Sequence, residues 1–287
     1  MSILKVKDLT HTYSGSTPFV NDAVSSVSFE INEGEIVGII GHTGSGKSTL
    51  VQHLNGLLKP TDGTVLFEDK DIWENPKEIR KIRSMVGLVF QYPEYQLFEE
   101  TVKDDIAFGP KNMGLSGNEL EKRVFDICSL IGVKDEYLNK SPFDLSGGEK
   151  RRVAIAGVLA MNPKVIVFDE PTAGLDPKGR EEVLEIIKNY RKAFGATVII
   201  ISHSMEDIAS LCDRVLVMNK GSLAFLDTVE NVFKNKEALR EIGLNVPIVT
   251  RVFEELSALG VKVPTNVYTV DAAVKALKNL KGGSSNA

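Results

Sequence analysis

One segment of this chain has the residue types and spacing of a phosphate-binding loop. From Gly41 to Ser48 it reads GHTGSGKS, which matches GxxxxGK[ST], and it lies between a continuously apolar stretch and a helical one. Glycines at this spacing let backbone N–H groups turn toward an anion, and the start of the following helix adds partial positive charge. Lys47 can reach the outer phosphates of a nucleotide, and the Ser48 hydroxyl can hold Mg²⁺. The segment therefore predicts a nucleoside triphosphate site.

A pair of carboxylates, Asp169 and Glu170, ends the apolar run VIVFDE. A carboxylate at the end of a strand beside a phosphate loop can organise Mg²⁺ and its waters, and we assign this role to Asp169. Glu170 can then accept a proton from the water that attacks the γ-phosphate. The structural alternative is that both acids merely cap the turn at Pro171.

A second segment suited to anions is LSGGE, from Leu145 to Glu149, which runs directly into the helical KRRVAIAGVLA. Ser146 is a favourable helix N-cap, and the two glycines permit an anion to approach the helix start closely. One chain thus carries two helix starts built for phosphate. A single triphosphate needs both only if it is sandwiched between them.

With these motifs in this order, the chain resembles the ATP-binding cassette (ABC) ATPases over nearly all of residues 3 to 230. The resemblance also rests on Tyr13, on Gln91 in VGLVFQ, on Asp176 in AGLD and on His203 in IISHS. It implies that the LSGGE signature of one subunit closes over the nucleotide held by the phosphate loop of another. Two subunits would therefore form two composite sites.

The same resemblance assigns roles to single residues. Tyr13 would stack on adenine, Gln91 would join Mg²⁺ and the attacking water, and His203 would contact the γ-phosphate. As alternatives, these would be a surface aromatic, a strand-end amide and a structural histidine. The predicted ATP-binding residues are Tyr13, Gly41, His42, Thr43, Gly44, Ser45, Gly46, Lys47, Ser48, Thr49 and Gln91, with Ser146, Gly147 and Gly148 from the opposite subunit; the Mg²⁺ ligands are Ser48, Gln91 and Asp169; the catalytic residues are Glu170 and His203.

Two positions in these motifs need separate comment. His42 is a spacer within the loop, and we expect its side chain to point away and carry no chemistry. Glu149 stands where the ABC family usually has Gln. We expect this difference to tune the site without abolishing it.

The elements that must position these residues are strands alternating with helices, which is typical of an α/β domain with a mostly parallel core sheet. The resemblance adds an N-terminal antiparallel β subdomain and a helical signature subdomain. The chain from Asp213 to Phe225 predicts a hairpin around Asn219-Lys220-Gly221. Buried parallel strands are expected at 164–170 and 197–202, and helices at 119–131, 150–160 and 180–193.

We divide the chain into an ABC ATPase domain, residues 1–229, and a C-terminal helical appendage, residues 230–287. The signature subdomain is placed at about 92–160. Beyond Asp227 the composition changes to short helical patterns punctuated by Pro247 and Pro264. The appendage is expected to hold an ATPase dimer together.

Composition excludes several classes of protein. The chain has 287 residues, of which 43% are hydrophobic and 25% charged, close to the soluble globular average. A net charge of -5 gives no support to nucleic-acid binding by a generally basic surface, so we expect no nucleic-acid partner. Cys128 and Cys212 fit neither a zinc site nor a disulfide framework. No apolar run reaches about 18 residues and the start lacks a signal peptide, so an intracellular chain is expected.

The stretch after Gln91, YPEYQLFEETVKDDIAFGP, is acidic and interleaved with aromatic residues. Its position next to the predicted nucleotide sensor favours a docking groove for a basic amphipathic helix. A solvated acidic face is the simpler interpretation of such a charge run. The acidic residues concerned are Glu94, Glu99, Glu100, Asp104 and Asp105.

This stretch, the signature region and the C-terminal GLNVPIVTRVFEELSALGVKVP resemble the ATPases of energy-coupling factor (ECF) transporters, including the cobalt-importer type. The likeness reaches roughly residue 280. It implies two ATPase subunits, identical or paralogous, at the cytoplasmic face of the cell membrane, under a transmembrane coupling protein and a separate substrate-binding membrane protein. Whether the cargo is cobalt or a vitamin stays open, as does the choice between homodimer and heterodimer.

The main alternative is a soluble ABC ATPase without a transport role. One acting in DNA repair or chromosome maintenance would need a long coiled-coil insertion, and no heptad run separates the phosphate loop from LSGGE. A translation-factor ABC protein would carry two cassettes in one chain. A small-molecule kinase with the same loop would need neither the signature nor His203.

Overall fold

The computed structural model of the chain describes residues 1–13 and 22–283. Its strands are β1 (Ser2–Thr12), β2 (Asp22–Asn32), β3 (Ile36–Ile40), β4 (Asp62–Phe67), β5 (Lys70–Asp71), β6 (Val86–Val89), β7 (Val165–Asp169), β8 (Thr197–Ile201), β9 (Arg214–Asn219) and β10 (Ser222–Thr228). Its α-helices are α1 (Lys47–Leu54), α2 (Ile79–Met85), α3 (Val102–Asn112), α4 (Gly117–Ile131), α5 (Gly147–Leu159), α6 (Pro177–Phe194), α7 (Met205–Leu211), α8 (Val229–Lys234), α9 (Lys236–Glu241), α10 (Ile248–Ala258) and α11 (Val270–Gly283).

The core sheet has six strands in the order β10-β9-β3-β8-β7-β6, and all neighbours except the β10–β9 pair are parallel. Its central strands β3 and β8 are buried at every residue. Alternate side chains of β8 enter two different cores: Val198 and Ile200 face one, Ile199 and Ile201 the other. A sheet covered on both faces gives continuously apolar strands, which is why these segments lack polar alternation.

Helices cover one face of this sheet and a second sheet covers the other. The second sheet has the order β2-β1-β4-β5 with antiparallel pairs, and it packs with α1 against the core sheet. Helices α3, α4, α5 and α6 share the core on the opposite face. The predicted fold, a parallel core sheet with an antiparallel β subdomain and a helical subdomain, is confirmed.

The three helices predicted from apolar spacing are present, but each begins two or three residues before its prediction. For α5 and α6 the extra turn follows an N-cap, Ser146 or Asp176. A first turn is set by its cap and does not yet contribute to the apolar face, so periodicity alone starts the helix too late. The predicted hairpin is also present, with positive φ at Lys220 (47°) and Gly221 (80°), as its tight turn requires.

The C-terminal segment beyond β10 is helical. Its first part shares a core with the main sheet, because Val232 and Phe233 of α8 pack with Val215 and Val217 of β9. Helices α10 and α11 meet over a small core of their own, made of Phe253, Val267 and Ala273. The domain boundary at 229/230 and the dimerising role of this segment stay predictions.

Two further sequence-based expectations concern the whole chain. Cys128 is fully buried, whereas Cys212 is partly exposed and packs against the core; neither forms a disulfide. Burial raises the pKa of the Cys128 thiol to about 12, so it behaves as a core residue. Within residues 1–13 and 22–283, no helix combines the length and the apolar character needed to span a membrane.

Candidate nucleotide-binding site

The loop Gly41–Gly46 connects β3 to α1 and is pressed closely against the rest of the chain. A Cβ at Gly46 (φ 97°) would lie 2.3 Å from the carbonyl oxygen of Ala23, and one at Gly41 would lie 2.5 Å from that of Met218. Only glycine fits at such separations. Main-chain packing against β2 and β9 therefore fixes the position of the loop.

Lys47, the first residue of α1, is buried, with 6% of its surface exposed. Its Nζ donates to the carbonyl oxygens of Gly41 (2.8 Å) and His42 (3.0 Å). Burial lowers the pKa of this amine, and the Glu170 and Asp169 carboxylates act in the opposite direction. The cation thus lies inside the loop, between it and the two carboxylates.

Two residues that the sequence singles out contact the Glu170 carboxylate, one at each oxygen. Gln91 Nε2 donates to Glu170 Oε2 at 3.1 Å, and His203 Nε2 lies 2.9 Å from Glu170 Oε1. The three residues follow β6, β7 and β8, which are adjacent parallel strands, so their carboxyl ends meet at one edge of the sheet. A left-handed backbone at Glu170 (φ 49°), with its N–H bonded to the Ile201 oxygen, directs the side chain into this position.

Asp169 lies on the side of Glu170 nearest the phosphate loop. Burial raises the pKa of its carboxyl, while a hydrogen bond with Ser48 and the charge of Lys47 act to lower it. The oxygen donors of Ser48, Asp169 and Gln91 are a hydroxyl, a carboxylate and an amide, which are the hard ligands that Mg²⁺ prefers. No cluster of three or more His, Cys, Asp or Glu side chains suited to a metal occurs in the described part of the chain. This donor set fits Mg²⁺, which usually completes its shell with phosphates and waters.

One buried hydroxyl in the loop fits a site that a ligand completes. Ser45 Oγ is fully buried and has no hydrogen-bond partner among the described residues. At the loop tip, Thr43 and Gly44 are exposed. His42 Nδ1 donates to the neighbouring Thr43 oxygen at 2.8 Å, so its ring is engaged locally, in keeping with the spacer role expected of it.

Tyr13, the predicted adenine platform, lies beside α1. Its ring is 52% exposed, and its hydroxyl lies 3.3 Å from Thr49 Oγ1. Thr49 directly follows Ser48, so the aromatic ring stands next to the phosphate loop. The Gly-Ser turn after Tyr13 falls in residues 14–21, outside the described residues.

The signature residues lie at the exposed start of α5. Added Cβ atoms at Gly147 and Gly148 would meet nothing within 4 Å, and neither glycine has a positive φ. The fold of this chain therefore does not require glycine at these positions. Within residues 1–13 and 22–283, no hydrogen bond or ion pair joins Ser146, Gly147 or Gly148 to the phosphate loop. The chain thus brings together every predicted group of the site except the signature.

Glu149 is bonded to the signature serine. Its Oε2 accepts the Ser146 N–H at 2.8 Å and the Ser146 hydroxyl at 2.6 Å. The bond from the Ser146 hydroxyl is the main reason that the pKa of Glu149 falls to about 2, with Tyr137 contributing next. An ionised carboxylate therefore occupies the usual place of a neutral glutamine.

Sequence reasoning missed a buried arginine that changes the interpretation of the acidic stretch. Arg151 is buried and pairs with Glu94, and its Nη1 donates to the carbonyl oxygens of Pro171 (3.4 Å) and Ala173 (3.1 Å). Asp105 is also buried and accepts the N–H groups of Phe98 and Glu99. The simpler interpretation of this stretch, a solvated acidic face, therefore does not hold for Glu94 and Asp105. The available signal was the place of Arg151 on the apolar stripe of α5.

A second missed group joins the segments that follow Glu170 and His203. Asp207, 2% exposed, accepts Thr172 Oγ1 at 3.0 Å and Arg180 Nε at 2.8 Å. Arg180 also donates to Ser204 Oγ at 2.6 Å. These bonds hold the two catalytic segments in a fixed relation. The spacing of Ser204 and Asp207, which is that of a capping box, was the signal that could have indicated them.

Comparison with known proteins gives three concordant findings. Residues 24–173 match the family model described as ABC transporter. The energy-coupling factor transporter ATP-binding protein EcfA2 of Caldanaerobacter subterraneus is 49% identical over 283 residues, covering 99% of each chain. EcfA2 of Clostridium perfringens is 51% identical over 275 residues, covering 96% of each.

Solved structures agree. The structure of CbiO1 from Clostridium perfringens, described as part of the ABC transporter complex cbiONQ, superposes with a TM-score of 0.75 at 41% identity, covering 88% of this chain and 99% of that one. A dimeric post-hydrolysis state of the ATP-binding cassette MJ0796, bound to ADP and Pi, gives 0.71 at 31% identity, covering 79% and 98%.

Proposed function

This chain belongs to the family of ABC transporter ATPases, and we propose that it is the ATP-hydrolysing subunit that powers import by an energy-coupling factor transporter. The observation that carries the proposal is the likeness to EcfA2 proteins, which extends over 99% of the chain and so includes the C-terminal helices. It is supported by a site in which Lys47, Gln91, Glu170 and His203 converge.

Glu170 is the general base in this proposal. Its carboxylate is held from both sides by the Gln91 amide and the His203 imidazole, so its position is set before a nucleotide arrives. It accepts a proton from the water that attacks the γ-phosphorus, and the bond from that phosphorus to the β–γ bridging oxygen breaks to release ADP. His203 and Gln91 orient the base through its two oxygens.

The remaining groups of the site bind charge. When a nucleotide binds, Lys47 replaces its hydrogen bonds to the Gly41 and His42 carbonyls with bonds to the phosphates. The negative charge of the phosphates then offsets the cost of burying the lysine cation. Mg²⁺, when bound, supplies charge neutralisation on the β- and γ-phosphates. Ser48 and Gln91 would hold it, and Asp169 would hold its waters. Because Gln91 uses its Nε2 toward Glu170, its Oε1 is left for the metal.

We propose that a second ATPase subunit, identical or paralogous, completes each site with Ser146, Gly147 and Gly148. The exposed signature, whose glycines this chain does not itself require, supports this. The appendage offers a further contact surface, since an exposed apolar stripe runs along α10 and α11. Its residues are Ile248, Val252, Val270, Val274 and Leu277, each at least 43% exposed.

We propose that a groove beside α5 receives an amphipathic helix of the transmembrane coupling protein. The groove has a volume of about 1100 Å³ and a largely apolar floor that includes Phe98, Phe108 and Met161. Asp105 lines it and has no cationic partner within residues 1–13 and 22–283, so a basic residue on the incoming helix would pair with it. The opposite rim, formed by α2, is basic and includes Arg80, Lys81 and Arg83.

In this proposal the groove connects the membrane subunit to the catalytic site. One of its walls contains Val153 and Gly157 of α5, the helix that begins at the signature. Movement of a docked helix would therefore reach the signature directly. A subunit that docks in this way would be peripheral to the membrane, at its cytoplasmic face.

Two cargoes fit the proposal. The likeness to CbiO1, part of a cbiONQ complex, supports cobalt ion, whereas the names of the EcfA2 relatives specify none, which leaves a vitamin equally open. In this architecture cargo recognition belongs to a separate membrane protein.

The proposal is tested by co-expressing the chain with candidate membrane subunits and measuring ATP-dependent uptake of cobalt and of vitamins into vesicles. Uptake that is lost with Glu170→Gln, while the complex still assembles, is the expected result. Failure to assemble with any membrane subunit, together with full ATPase activity, would favour a soluble, non-transport ABC ATPase.

A further inference from the structure

Four residues near the phosphate loop form a closed ring of contacts that joins the end of β1 to α1, with one link through the Thr49 main-chain oxygen. His53 on α1 and His11 on β1 are neighbours, with His53 Nε2 lying 3.1 Å from His11 Nδ1. The ring of His11 stands edge-on to that of Tyr13, with centroids 4.6 Å apart and an interplanar angle of 80°. The Tyr13 hydroxyl is hydrogen-bonded to Thr49 Oγ1 on α1. The members are thus Thr49, His53, His11 and Tyr13.

The hydrogen bonds assign the tautomers in this ring. The Thr49 carbonyl can only accept, so His53 Nδ1, at 2.7 Å, carries a proton and donates to it. His53 is fully buried, and burial lowers its pKa, so the ring is neutral and its Nε2 has a free lone pair. His11 Nδ1 must then donate to His53 Nε2. Each histidine is therefore held in one orientation.

This arrangement has a consequence for Tyr13. Its ring is half exposed, and among the described residues it contacts the nearly perpendicular ring of His11 and, through its hydroxyl, Thr49. His11 is in turn oriented by His53, which is anchored to the phosphate-loop helix. Through these contacts, the orientation of Tyr13 depends on the same helix that carries Lys47 and Ser48.

We infer that His11 and His53 are positioning residues that hold Tyr13 as the stacking platform for the nucleotide base. The inference rests on the proposed function, in which Tyr13 meets adenine. Because the phosphate-loop helix orients this platform, the base and the phosphates of one nucleotide are bound at a fixed separation and angle.

The test separates binding of the base from binding of the phosphates. ADP and inorganic pyrophosphate are titrated into the full-length chain, since neither is hydrolysed there and neither carries the γ-phosphate of the composite site. His11→Leu removes the Nδ1 donor, and His11→Asn restores a donor at a similar place. We expect His11→Leu to weaken ADP binding roughly fivefold, the lower end of a lost base–aromatic stack, and to leave pyrophosphate binding unchanged. His11→Asn should recover part of the ADP affinity, because it restores the donor to His53 but not the ring that packs against Tyr13.

A spectroscopic signature accompanies the titration. The fluorescence of 2-aminopurine riboside diphosphate is quenched on stacking, so the quench should shrink in His11→Leu and return in part in His11→Asn. Equal losses for ADP and pyrophosphate would show that His11 merely supports the loop, and the inference would be overturned.

Tyr13→Leu distinguishes the role of Tyr13 as the base platform from the role of His11 in positioning it. If it leaves ADP affinity and quenching unchanged, Tyr13 is not the base platform, and that part of the proposed function fails. If Tyr13→Leu weakens ADP binding while His11→Leu behaves as wild type, the platform stands and the positioning role is wrong. Under the inference, adding His11→Leu to Tyr13→Leu causes no further loss.

Discussion

Arg151 donates two parallel hydrogen bonds to the carboxylate of Glu94, from Nε at 2.9 Å and from Nη2 at 3.0 Å. Arg151 lies on the first turns of the signature helix, and Glu94 follows the predicted nucleotide sensor Gln91. The third nitrogen of the guanidinium bonds to main-chain oxygens just beyond Glu170. One buried side chain therefore ties together the signature helix, the edge of the groove and the segment of the general base.

Removing one partner of this pair should cost stability. With a side chain only 4% exposed, Arg151 would keep an uncompensated charge in Glu94→Ala, which should lower the free energy of unfolding by about 3 kcal/mol. Glu100→Ala is the matched control, because Glu100 is exposed and within the described part of the chain has no hydrogen bond or ion pair. Its effect should stay within about 0.5 kcal/mol. Urea unfolding followed by circular dichroism measures both, and equal stabilities would contradict the structural role of Glu94.

Glu170→Gln should leave ATP binding intact and reduce hydrolysis at least about a hundredfold, the scale of a lost general base. Glutamine keeps the size of the side chain but cannot accept the proton. Steady-state release of phosphate and equilibrium binding of ATP are the two measurements. Glu119→Gln, at an exposed position on α4, is the control. Near wild-type turnover in Glu170→Gln would remove Glu170 from its role.

ATP with Mg²⁺ should draw two subunits together, most visibly in the Glu170→Gln background, where the closed state is not hydrolysed open. The physical reason is that the signature lies apart from the phosphate loop within one chain. A label near Ser146 of one subunit and one near Ser48 of the other should approach on addition of ATP. Light scattering alone is less decisive, because contacts of the appendage could hold a dimer without nucleotide. Unchanged label distances would count against composite sites.

Glu149→Gln should tighten this ATP-driven association several-fold. With a pKa of about 2, Glu149 is ionised at every physiological pH, and it holds the Ser146 hydroxyl that the resemblance directs at a phosphate. Replacing the carboxylate by an amide removes a negative charge near a bound triphosphate. The ATP concentration at half-maximal association should fall, while ADP binding to the isolated chain stays the same. An unchanged or higher midpoint would show that Glu149 does not restrain closure.

Asp105→Asn should change both stability and docking. Burial raises the pKa of Asp105, so the folded state favours the protonated carboxyl. The stability that protonation of Asp105 contributes is fully present below the pKa of the unfolded chain. It is lost as the pH rises through the pKa of the folded protein. The free energy of unfolding of Asp105→Asn, relative to that of the unsubstituted chain, should therefore be greater at pH 7 than at pH 4. The variant should also capture less of the membrane subunits while the isolated chain keeps its ATPase activity. Undiminished capture would argue against a basic residue pairing with Asp105.

The amino-acid sequence by itself determined the features that depend on neighbouring residues. GHTGSGKS identifies its loop because the apolar strand β3 and the helix α1 adjoin it, and the positive φ values of the β9–β10 turn follow from a short Lys-Gly step. Strand and helix type follow from apolar periodicity, since burial on one or both faces imposes it locally. The helix starts moved by two or three residues, where caps precede that periodicity, and several other boundaries moved by one.

The tertiary structure decided which distant residues meet. Glu170 lies 79 positions from Gln91, Arg151 lies 57 from Glu94, and His53 lies 42 from His11, yet each pair is in hydrogen-bond contact. Periodicity reports that a residue is buried, not what it is buried against. The order β8-β7-β6 of the core sheet brings Gln91, Glu170 and His203 to one edge. The acidic neighbours of Glu94 in the sequence suggest a surface position, but the packing of α5 pairs its side chain with the buried Arg151.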